Sequence, residues 1–479
     1  MKYKHALFLN PYMEDAATTA MGLFPPTGLE YVATSAKEYV GKLTLLDLKA
    51  EKNLCDPDKL VEFIKKEIDI ICVTIAWNRH FDEILKLLNL MPDNIPLVIG
   101  GYKATEKVEE IFEACPKVDI IVRGEGEETI KDVVKGLPFE DIAGISYRKD
   151  GKVTHNKNRP LPDVDKIKPP DRSLRRHKYY AISNGTKIIS ATWDTILSSR
   201  GCPFNCKFCT FNINPLGQKR SYASRSVESV VNEIEGISAD IILFSDDNFF
   251  TEPKRSMAIC DLLIARGIKK RFITQARIDV ARYPELLEKA VKAGFKMLLL
   301  GIESPHDWIL KAMNKGFTQS MIREYFKVLN RYPILYHGNY IYGNIGETEE
   351  EMLYISKFSQ EIGVDSVAFS KLRVDKYSPL KEIAEKTPGY HVTDRGELYS
   401  DTYSHETLKK IHRKLKFSFF TPYILFKLVK KLLRVKFITG REIISFLIAS
   451  PMLLKGVIAR EIHKKRLGDS LKRIFMRKA

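Results

Sequence analysis

Cysteine is scarce in this sequence, with seven residues in a chain of 479. Four of them are single and scattered, as free thiols are in a reducing compartment; they are Cys55, Cys72, Cys115 and Cys260. The other three, Cys202, Cys206 and Cys209, share one short segment. Because their number is odd and the chain is long enough to bury its own core, a disulfide framework is excluded. The trio therefore predicts metal binding.

Long apolar segments are also absent. A helix that spans a bilayer needs about 18 or more apolar residues in a row, and Lys427 and Lys455 interrupt the longest candidates before that length. The N-terminal segment MKYKHALFLNPY predicts a first strand, and no small-residue cleavage site of a signal peptide follows it. Together with the scattered thiols, these absences predict a cytoplasmic protein.

The C-x3-C-x2-C spacing of the trio narrows the choice of metal. Zinc sites usually use two pairs such as C-x2-C, and no second pair follows. A zinc site of three cysteines and one histidine, such as His177, stays an alternative. Three thiolates on one loop can instead hold three irons of a [4Fe–4S] cluster, which leaves the fourth iron open for a small molecule.

With Phe208 directly before the last cysteine, the segment RGCPFNCKFCTF resembles the cluster loop of the radical SAM enzymes. The resemblance implies that Cys202, Cys206 and Cys209 hold a [4Fe–4S] cluster. It also implies that the open iron binds S-adenosylmethionine, which one electron cleaves to methionine and a 5′-deoxyadenosyl radical. An external donor of the flavodoxin or ferredoxin type would supply that electron.

Downstream of this loop, apolar strand-like runs alternate with helical stretches, and each run ends in polar residues. The alternation predicts parallel strands with crossover helices, whose carboxyl ends line the active site. The order resembles the radical SAM partial barrel. That resemblance places Asp246 and Asp247 near the amino group of S-adenosylmethionine, and Gln275, Arg277 and Glu303 near its ribose and carboxylate.

The first 150 residues contain their own alternation of buried-type strands and helices, which predicts an open doubly wound α/β sheet. Glycines follow two of the strands, and glycine lets a backbone approach a large ligand closely. The turn after the first strand is NPYMED and not the G-x-G-x-x-G of dinucleotide-binding folds. The segments FPPTGLEYVATSAKEYVG, VIGGYKAT and VRGEGEETI resemble instead the cobalamin-binding domain that precedes many radical SAM domains.

This second resemblance implies how cobalamin is bound. The nucleotide tail would enter the sheet beside the glycines, and the corrin would lie over the loops after the first, third and fourth strands. The implied cofactor-binding residues are Asn10, Pro11, Tyr12, Thr74, Trp77, Gly100, Gly101, Gly124 and Glu125. The histidine of the D-x-H-x-x-G motif is missing, so the cobalt would have no histidine below it, and residues 10–12 or Trp77 would face the metal.

The two resemblances imply a cobalamin-binding domain over residues 1–150 and a radical SAM partial barrel over 191–400. Composition and charge predict a proline-rich linker over 151–190 and a basic helical region over 401–479. The last region carries 20 Lys and Arg against 5 Asp and Glu, whereas the first 400 residues carry 57 against 55. One tail therefore makes the protein basic.

Within that tail, PYILFKLVKKLLRVK predicts an amphipathic helix. One face would carry Lys427, Lys430, Lys431 and Arg434, and the other Leu425, Leu428, Val429, Leu432 and Leu433. Three interpretations stay open: a helix packed on the barrel, a helix lying on the inner face of the membrane, and a nucleic-acid-binding helix. The third is the least favoured, because no RNA-binding motif accompanies Phe417, Phe419 and Phe420.

The resemblances imply a cobalamin-dependent radical SAM methyltransferase acting on an unactivated carbon. Such a carbon is neither acidic nor nucleophilic, so proton transfer cannot activate it, and the cofactors carry the chemistry. The alternatives are a radical cyclase or C–C bond-forming enzyme acting on a lipid or tetrapyrrole, methylation of a protein side chain, and a non-catalytic sensor with a DNA-binding tail. The basic tail favours a hydrophobic substrate at a membrane.

Overall fold

The computed structural model describes residues 1–12, 24–78, 80–183, 186–210, 213–394, 396–446 and 448. Two seven-stranded sheets organise the chain, one in each half. The first sheet has the order β2-β1-β3-β4-β5-β6-β7. Its strands are β1 (His5–Asn10), β2 (Lys42–Asp47), β3 (Ile70–Thr74), β4 (Leu97–Gly100), β5 (Ile120–Val122), β6 (Ile145–Lys149) and β7 (Lys152–His155). Strands β1 to β5 are parallel, and β6 and β7 are antiparallel additions at one edge.

Helices cover both faces of this sheet, which confirms the predicted doubly wound domain. They are α1 (Thr27–Ala36), α2 (Pro57–Glu67), α3 (Phe81–Leu88), α4 (Tyr102–Glu106), α5 (Val108–Ala114) and α6 (Glu127–Lys135). Helices α1 and α6 share one apolar core with the sheet, and α2, α3 and α5 share the other. Because β1, β3 and β4 are buried on both faces, their sequences are continuous apolar runs rather than alternating ones.

The second sheet has the order β16-β15-β14-β13-β12-β9-β8. Six of its strands are parallel and form a half barrel, and β8 pairs antiparallel with β9 at one edge. The strands of this half are β8 (Tyr179–Ser183), β9 (Thr186–Ile196), β10 (Ser199–Arg200), β11 (Ala223–Ser224), β12 (Ile241–Phe244), β13 (Arg271–Ala276), β14 (Phe295–Glu303), β15 (Leu335–Tyr342), β16 (Ser366–Lys371), β17 (Tyr390–Val392) and β18 (Leu398–Ser400).

Helices of the second half pack on the outer face of the half barrel around one large apolar core. They are α7 (Val227–Gly236), α8 (Pro253–Ala265), α9 (Pro284–Ala293), α10 (Asp307–Ala312), α11 (Gln319–Leu329), α12 (Glu349–Ile362), α13 (Pro379–Lys386), α14 (His405–Phe419) and α15 (Pro422–Arg434). The predicted partial barrel is therefore confirmed. The segment predicted as a linker, residues 151–190, is partly strand, because β7, β8 and the start of β9 extend the two sheets by short edge hairpins.

The C-terminal region closes the amino-terminal end of the half barrel. Val435 and Phe437 are buried against Ile241 and Leu335, the first residues of β12 and β15. Arg271, at the start of β13, donates two hydrogen bonds of 2.8 Å to the carboxylate of Glu442. This end of the tail is thus part of the barrel. Residues 447 and 449–479, which include Lys455, lie outside the described residues.

Helix α15 differs from the predicted two-faced helix. Its barrel side carries Ile424, Leu428 and Leu432, together with Lys431, whose Nζ lies 2.6 Å from Asp365. Its apolar arc is too wide for the barrel to cover, so a second row stays exposed: Leu425, Phe426, Val429 and Leu433. None of the helices in the described ranges has the length and hydropathy required to cross a bilayer.

Candidate cluster and cofactor site

The three clustered cysteines lie on the loop between β10 and β11, and each is partly exposed. Neighbouring segments hold this loop by its backbone. Lys207 N donates to Met313 O at 2.9 Å, and Asn314 Nδ2 donates to Asn205 O at 3.0 Å. Ser378 Oγ donates to Lys207 O at 2.7 Å. These hydrogen bonds hold the cysteine loop against the segments that follow α10 and precede α13.

The zinc alternative would use His177 as a ligand beside the three cysteines. Among the described residues, no three His, Cys, Asp or Glu side chains converge on one point as ligands of a single ion. His177 lies against Glu51 and the ring of Tyr179. Three thiolates on one loop suit a cluster, in which each cysteine binds a different iron.

Asp246 and Asp247 follow β12, as the alternation of strands predicted. The carboxylate of Asp246 is buried and accepts hydrogen bonds from Ser198 N at 2.7 Å, Ser199 Oγ at 2.9 Å and Ser198 Oγ. These serines directly precede the cysteine loop, so Asp246 fixes the approach to that loop and has no oxygen left without a partner. Burial, followed by the charge of Asp246, raises the pKa of Asp247 to about 6.

Arg277 follows β13 and lies against the cysteine loop. Its Nη1 is 3.9 Å from Cys206 Sγ, and its guanidinium carbon is 3.8 Å from the centroid of the Phe204 ring. Its Nη2 donates to Lys315 O at 2.8 Å. Gln275 lies two residues earlier, at the end of the same strand, and is partly buried.

Glu303 ends β14 and is paired with a lysine that the sequence analysis missed. Lys315 Nζ lies 2.9 Å from Glu303 Oε1, both side chains are buried, and the ammonium is 5.6 Å from the centroid of the Phe208 ring. Glu303 has a positive φ of 68°, a conformation that bulky residues rarely adopt. Strained backbone of this kind concentrates at functional sites.

A cavity of about 290 Å³ opens at the carboxyl ends of the first sheet. Five of the residues predicted to bind cobalamin line it: Thr74, Gly100, Gly101, Gly124 and Glu125. Apolar side chains of β1, β4, β5, α1 and α6 form most of its remaining wall. Such a largely apolar slot with few polar groups is typical of sites for organic cofactors.

The other predicted residues are not in the wall of this cavity. Asn10 is buried and its Nδ2 donates to Asp47 Oδ1 at 2.7 Å. Pro11 beside it is buried. The hydroxyl of Tyr12 accepts from Trp77 N at 2.6 Å and donates to Trp77 O at 3.1 Å, and the Trp77 side chain is 65% exposed. Tyr12 thus braces the loop that presents Trp77.

Two features of the cavity fit the nucleotide tail of cobalamin, and a third, the turn at Gly101, fixes the shape of its wall. A β-carbon at Gly101, where φ is 105°, would lie 2.8 Å from Ile75 O, so this turn requires glycine. Gly28, on α1, has no atom within 4 Å of the place where a β-carbon would be, so open space lies beside it. Glu127 is 4% exposed and its Oε2 has no partner, which offers an acceptor to a hydroxyl or amide of a ligand.

We expect Gly28→Phe to block the cavity, because the ring would occupy the open space beside α1. Cobalamin affinity, measured by absorbance titration, should fall at least about 100-fold, which corresponds to about 2.7 kcal/mol. Gly28→Ala adds one methyl group and is the matched control, for which a change under about threefold is expected. Unchanged affinity in Gly28→Phe would show that cobalamin does not enter this cavity.

Comparison with known proteins is consistent with this geometry. Residues 13–134 match the family model described as B12 binding domain, and residues 196–358 match that of the radical SAM superfamily. An uncharacterized methyltransferase of Pyrococcus horikoshii is 29% identical over 383 residues, which cover 77% of this chain and 81% of the relative. An anaerobic magnesium-protoporphyrin IX monomethyl ester cyclase of Cereibacter sphaeroides is 26% identical, over 72% of this chain and 58% of the cyclase.

A solved structure shares the fold of both halves. The radical S-adenosylmethionine methyltransferase TsrM from Kitasatospora setae, solved with cobalamin and a [4Fe-4S] cluster bound, superposes with a TM-score of 0.66 at 17% identity. The superposition covers 82% of this chain and 81% of TsrM. The chain combines a B12 binding domain with a radical SAM domain, in the order that the sequence predicted.

Proposed function

We propose that the protein is a cobalamin-dependent radical SAM enzyme that methylates an unactivated carbon. The observation that carries the proposal is a shared wall: Leu197 and Arg200, which precede Cys202, line the cavity of the B12 binding domain. A ligand of that cavity and a cluster on the cysteine loop would therefore be neighbours. When bound, the cluster and S-adenosylmethionine supply a hydrogen-abstracting radical, and cobalamin supplies a methyl group.

The proposed roles of the chain's own residues are supported by their positions around the cysteine loop. Each of the cysteines Cys202, Cys206 and Cys209 would hold one iron. Phe208 would cover the end of the half barrel at which the cysteine loop lies. Arg277 lies beside the loop, where its guanidinium would stabilise anionic groups of S-adenosylmethionine, and Asp279 at 3.2 Å balances part of its charge. Glu303 compensates the charge of Lys315. Gln275 and Asp247 are the remaining polar groups proposed to contact that cofactor.

The inner face of the half barrel favours an apolar reacting group. Leu243, Met297 and Leu299 lie on it together with Trp193, partly buried against the apolar cluster that Val435 and Phe437 complete at the amino-terminal end. An apolar wall excludes water from a reactive intermediate. We therefore propose that the substrate presents hydrocarbon to this face, as a lipid or a ring-shaped small molecule does.

The test is anaerobic reconstitution of the full chain with iron, sulfide and cobalamin, followed by reduction in the presence of S-adenosylmethionine that carries a CD₃ group. We expect 5′-deoxyadenosine and S-adenosylhomocysteine, and one compound in lipid, pigment or protein extracts whose mass rises by one CD₃ in place of hydrogen. The absence of 5′-deoxyadenosine would contradict the proposal.

Ring closure is the second candidate, because the relative from Cereibacter sphaeroides is named as a cyclase. The same experiment separates the two reactions. A product that lost hydrogen and gained no label would favour the cyclase over the methyltransferase.

We propose a flavodoxin or ferredoxin as the external electron donor. Lys207 and Lys219 lie on or beside the partly exposed cysteine loop, and Lys219 Nζ donates to Asn205 Oδ1 at 3.2 Å. A basic rim around the loop complements the acidic surface of such donors.

We also propose that the protein binds anionic membrane surfaces through α15. The exposed row of Leu425, Phe426, Val429 and Leu433 runs beside Lys427, Lys430 and Arg434. An apolar row flanked by basic residues is typical of helices that lie in the membrane interface. Because Val435, Phe437 and Glu442 belong to the barrel, deletion of the tail would damage the fold, and substitutions on the exposed side are the better test.

We expect the double variant Lys427→Glu/Lys430→Glu to bind vesicles of 30% phosphatidylglycerol and 70% phosphatidylcholine at least about 30-fold more weakly than the parent protein. The reason is that each lysine near an anionic surface contributes about 1 kcal/mol of binding free energy. Lys59→Glu/Lys65→Glu reverses the same two charges on the exposed side of α2 and is the control. Equal binding by both double variants in a vesicle co-sedimentation assay would exclude α15 as the binding surface.

A further inference from the structure

We propose that Arg200 is a positioning residue that couples occupancy of the cavity in the B12 binding domain to the arrangement of the cysteine loop. The inference rests on the proposed function, because it concerns cobalamin and the cluster as the two ligands. It adds a specific path between them, which runs through one turn of the first domain and one arginine of the second.

On the cavity side, the turn at residues 124–127 supplies both the wall and the acidic partners. Arg200 Nη1 donates to Glu125 Oε2 at 2.6 Å, and Arg200 Nη2 donates to Glu127 Oε1 at 2.5 Å. The other oxygen of Glu127, Oε2, is buried without a partner. A hydroxyl or amide of a bound ligand that donates to Oε2 would fix the carboxylate that holds Arg200.

On the side of the cysteine loop, Arg200 is close in sequence to the first cysteine of the trio. Arg200 belongs to β10, pairs with Ala223 of β11 and lies two residues before Cys202. Its guanidinium also lies over the ring of Tyr31, 5.2 Å from the centroid. The side chain is only 16% exposed, so solvent screens these charges weakly.

A second arginine reinforces the connection. Arg220 Nε donates to Glu125 Oε1 at 3.1 Å, and Arg220 Nη2 donates to Pro162 O at 2.9 Å. The backbone of Arg220 lies against Gly201, where a β-carbon would be 2.3 Å from Arg220 O and φ is 81°. Both arginines that hold Glu125 therefore contact or adjoin the residue that precedes Cys202.

This geometry predicts thermodynamic coupling. A ligand in the cavity that orders Glu125 and Glu127 would also hold Arg200 in one position. It would thereby favour the position of the first residues of the cysteine loop in which the cluster binds. Coupling of two binding equilibria is reciprocal, so the cluster must raise the affinity for cobalamin by the same factor. Coupling free energies of this kind typically correspond to a factor of about 5 to 150.

The experiment measures cobalamin affinity by absorbance titration in the full chain, once with the reconstituted cluster and once after iron chelation, without substrate or turnover. We expect the cluster to raise the affinity of the parent protein at least about fivefold. In Arg200→Gln the ratio of cobalamin affinity with the cluster to that without it should fall below about twofold. Arg200→Lys keeps the charge but loses the paired N–H donors of the guanidinium, so its ratio should be intermediate. Arg266→Gln is the control, because Arg266 pairs with Glu235 within the second domain.

An unchanged ratio in Arg200→Gln, or a ratio of one in the parent protein, would overturn the inference. If Arg200→Gln does not fold, Arg200→Lys and Glu125→Gln decide the question, since Glu125→Gln removes one partner and leaves the arginine in place. If Arg200 had only a structural role, its replacement would lower the cobalamin affinity equally with and without the cluster, and the ratio of the two affinities would not change. Because no substrate is used, failure of the methylation assay and failure of this coupling are separate results.

Discussion

Replacing Cys202, Cys206 or Cys209 by alanine is expected to lower the iron content from about four atoms per chain to below one. Each thiolate would hold a different iron, so one replacement leaves a cluster with two protein ligands, and 5′-deoxyadenosine formation should stop. Iron and sulfide analysis, the absorbance near 400 nm and chromatography of the nucleoside products are the measurements.

Cys55→Ala is the matched control for these variants, because Cys55 is also partly exposed and its thiol donates to backbone oxygens of Leu48 and Glu51. It should retain iron and nucleoside formation. Zinc in place of iron in anaerobically purified protein, or continued cleavage of S-adenosylmethionine by an alanine variant, would contradict the assignment of the cysteine loop.

The two sheets could be predicted from the sequence because their central strands are buried on both faces. Such strands are continuous apolar runs, and the helices between them repeat with a different period. The edge strands β6, β7 and β8 were harder to recognise. Lys149, Lys152 and His155 belong to β6 and β7, and such short and partly polar strands form only because the sheet edge offers hydrogen bonds.

Some features of the candidate site are local in the sequence, and others depend on residues that only the fold brings together. The cysteine spacing and the glycines at residues 100–101 and 124 are local in sequence, and the structure brings the glycines together in the cavity wall. No sequence pattern marked Lys315, Glu127 or Arg200, because each is a single residue whose partner lies in another element, 12 residues away for Lys315 and 73 for Glu127 and Arg200. The unusual backbone of Glu303 and the orphan oxygen of Glu127 are visible only in three dimensions.

The amphipathic pattern of the C-terminal region could not decide between a helix packed on the barrel and a helix lying on a membrane. Amphipathic patterning gives the number of apolar residues but not the element that covers them. In the structure Leu428 and Leu432 pack on the barrel, while Leu425 and Phe426 stay exposed. Lys431, assigned to the basic face, pairs with Asp365 because the barrel side of α15 includes its position.

The connection between the two domains is built on buried ion pairs. Asp194, in β9, accepts hydrogen bonds from Arg172 Nε at 2.9 Å and from Arg175 Nη1 and Nη2 at 2.7 and 2.9 Å. Arg175 also donates to both oxygens of Glu30 in α1, and Arg172 donates to Glu233 in α7 at 2.8 Å. The network thus joins the first domain, the connecting segment and the half barrel.

Asp194→Ala is expected to lower the free energy of unfolding by about 3–5 kcal/mol, the usual cost of removing one partner of a buried ion pair. Burial alone would raise the pKa of Asp194, but hydrogen bonds from Arg175 and the charges of both arginines hold that pKa below its usual value. The carboxylate is therefore charged, and its loss leaves the guanidinium groups of Arg172 and Arg175, which are 19% and 10% exposed, short of a partner.

Urea unfolding and limited proteolysis between residues 156 and 178 measure this effect, since a weakened network exposes the connecting segment to protease. Asp261→Ala is the matched control, because Asp261 also pairs with a cation, Lys289 at 2.8 Å, but is 53% exposed. Exposed pairs contribute little to stability, so this variant should unfold and be cleaved like the parent protein. Equal stability of the two variants would mean that the domains are held by their apolar contacts, and that the buried charges serve only to set the orientation of one sheet against the other.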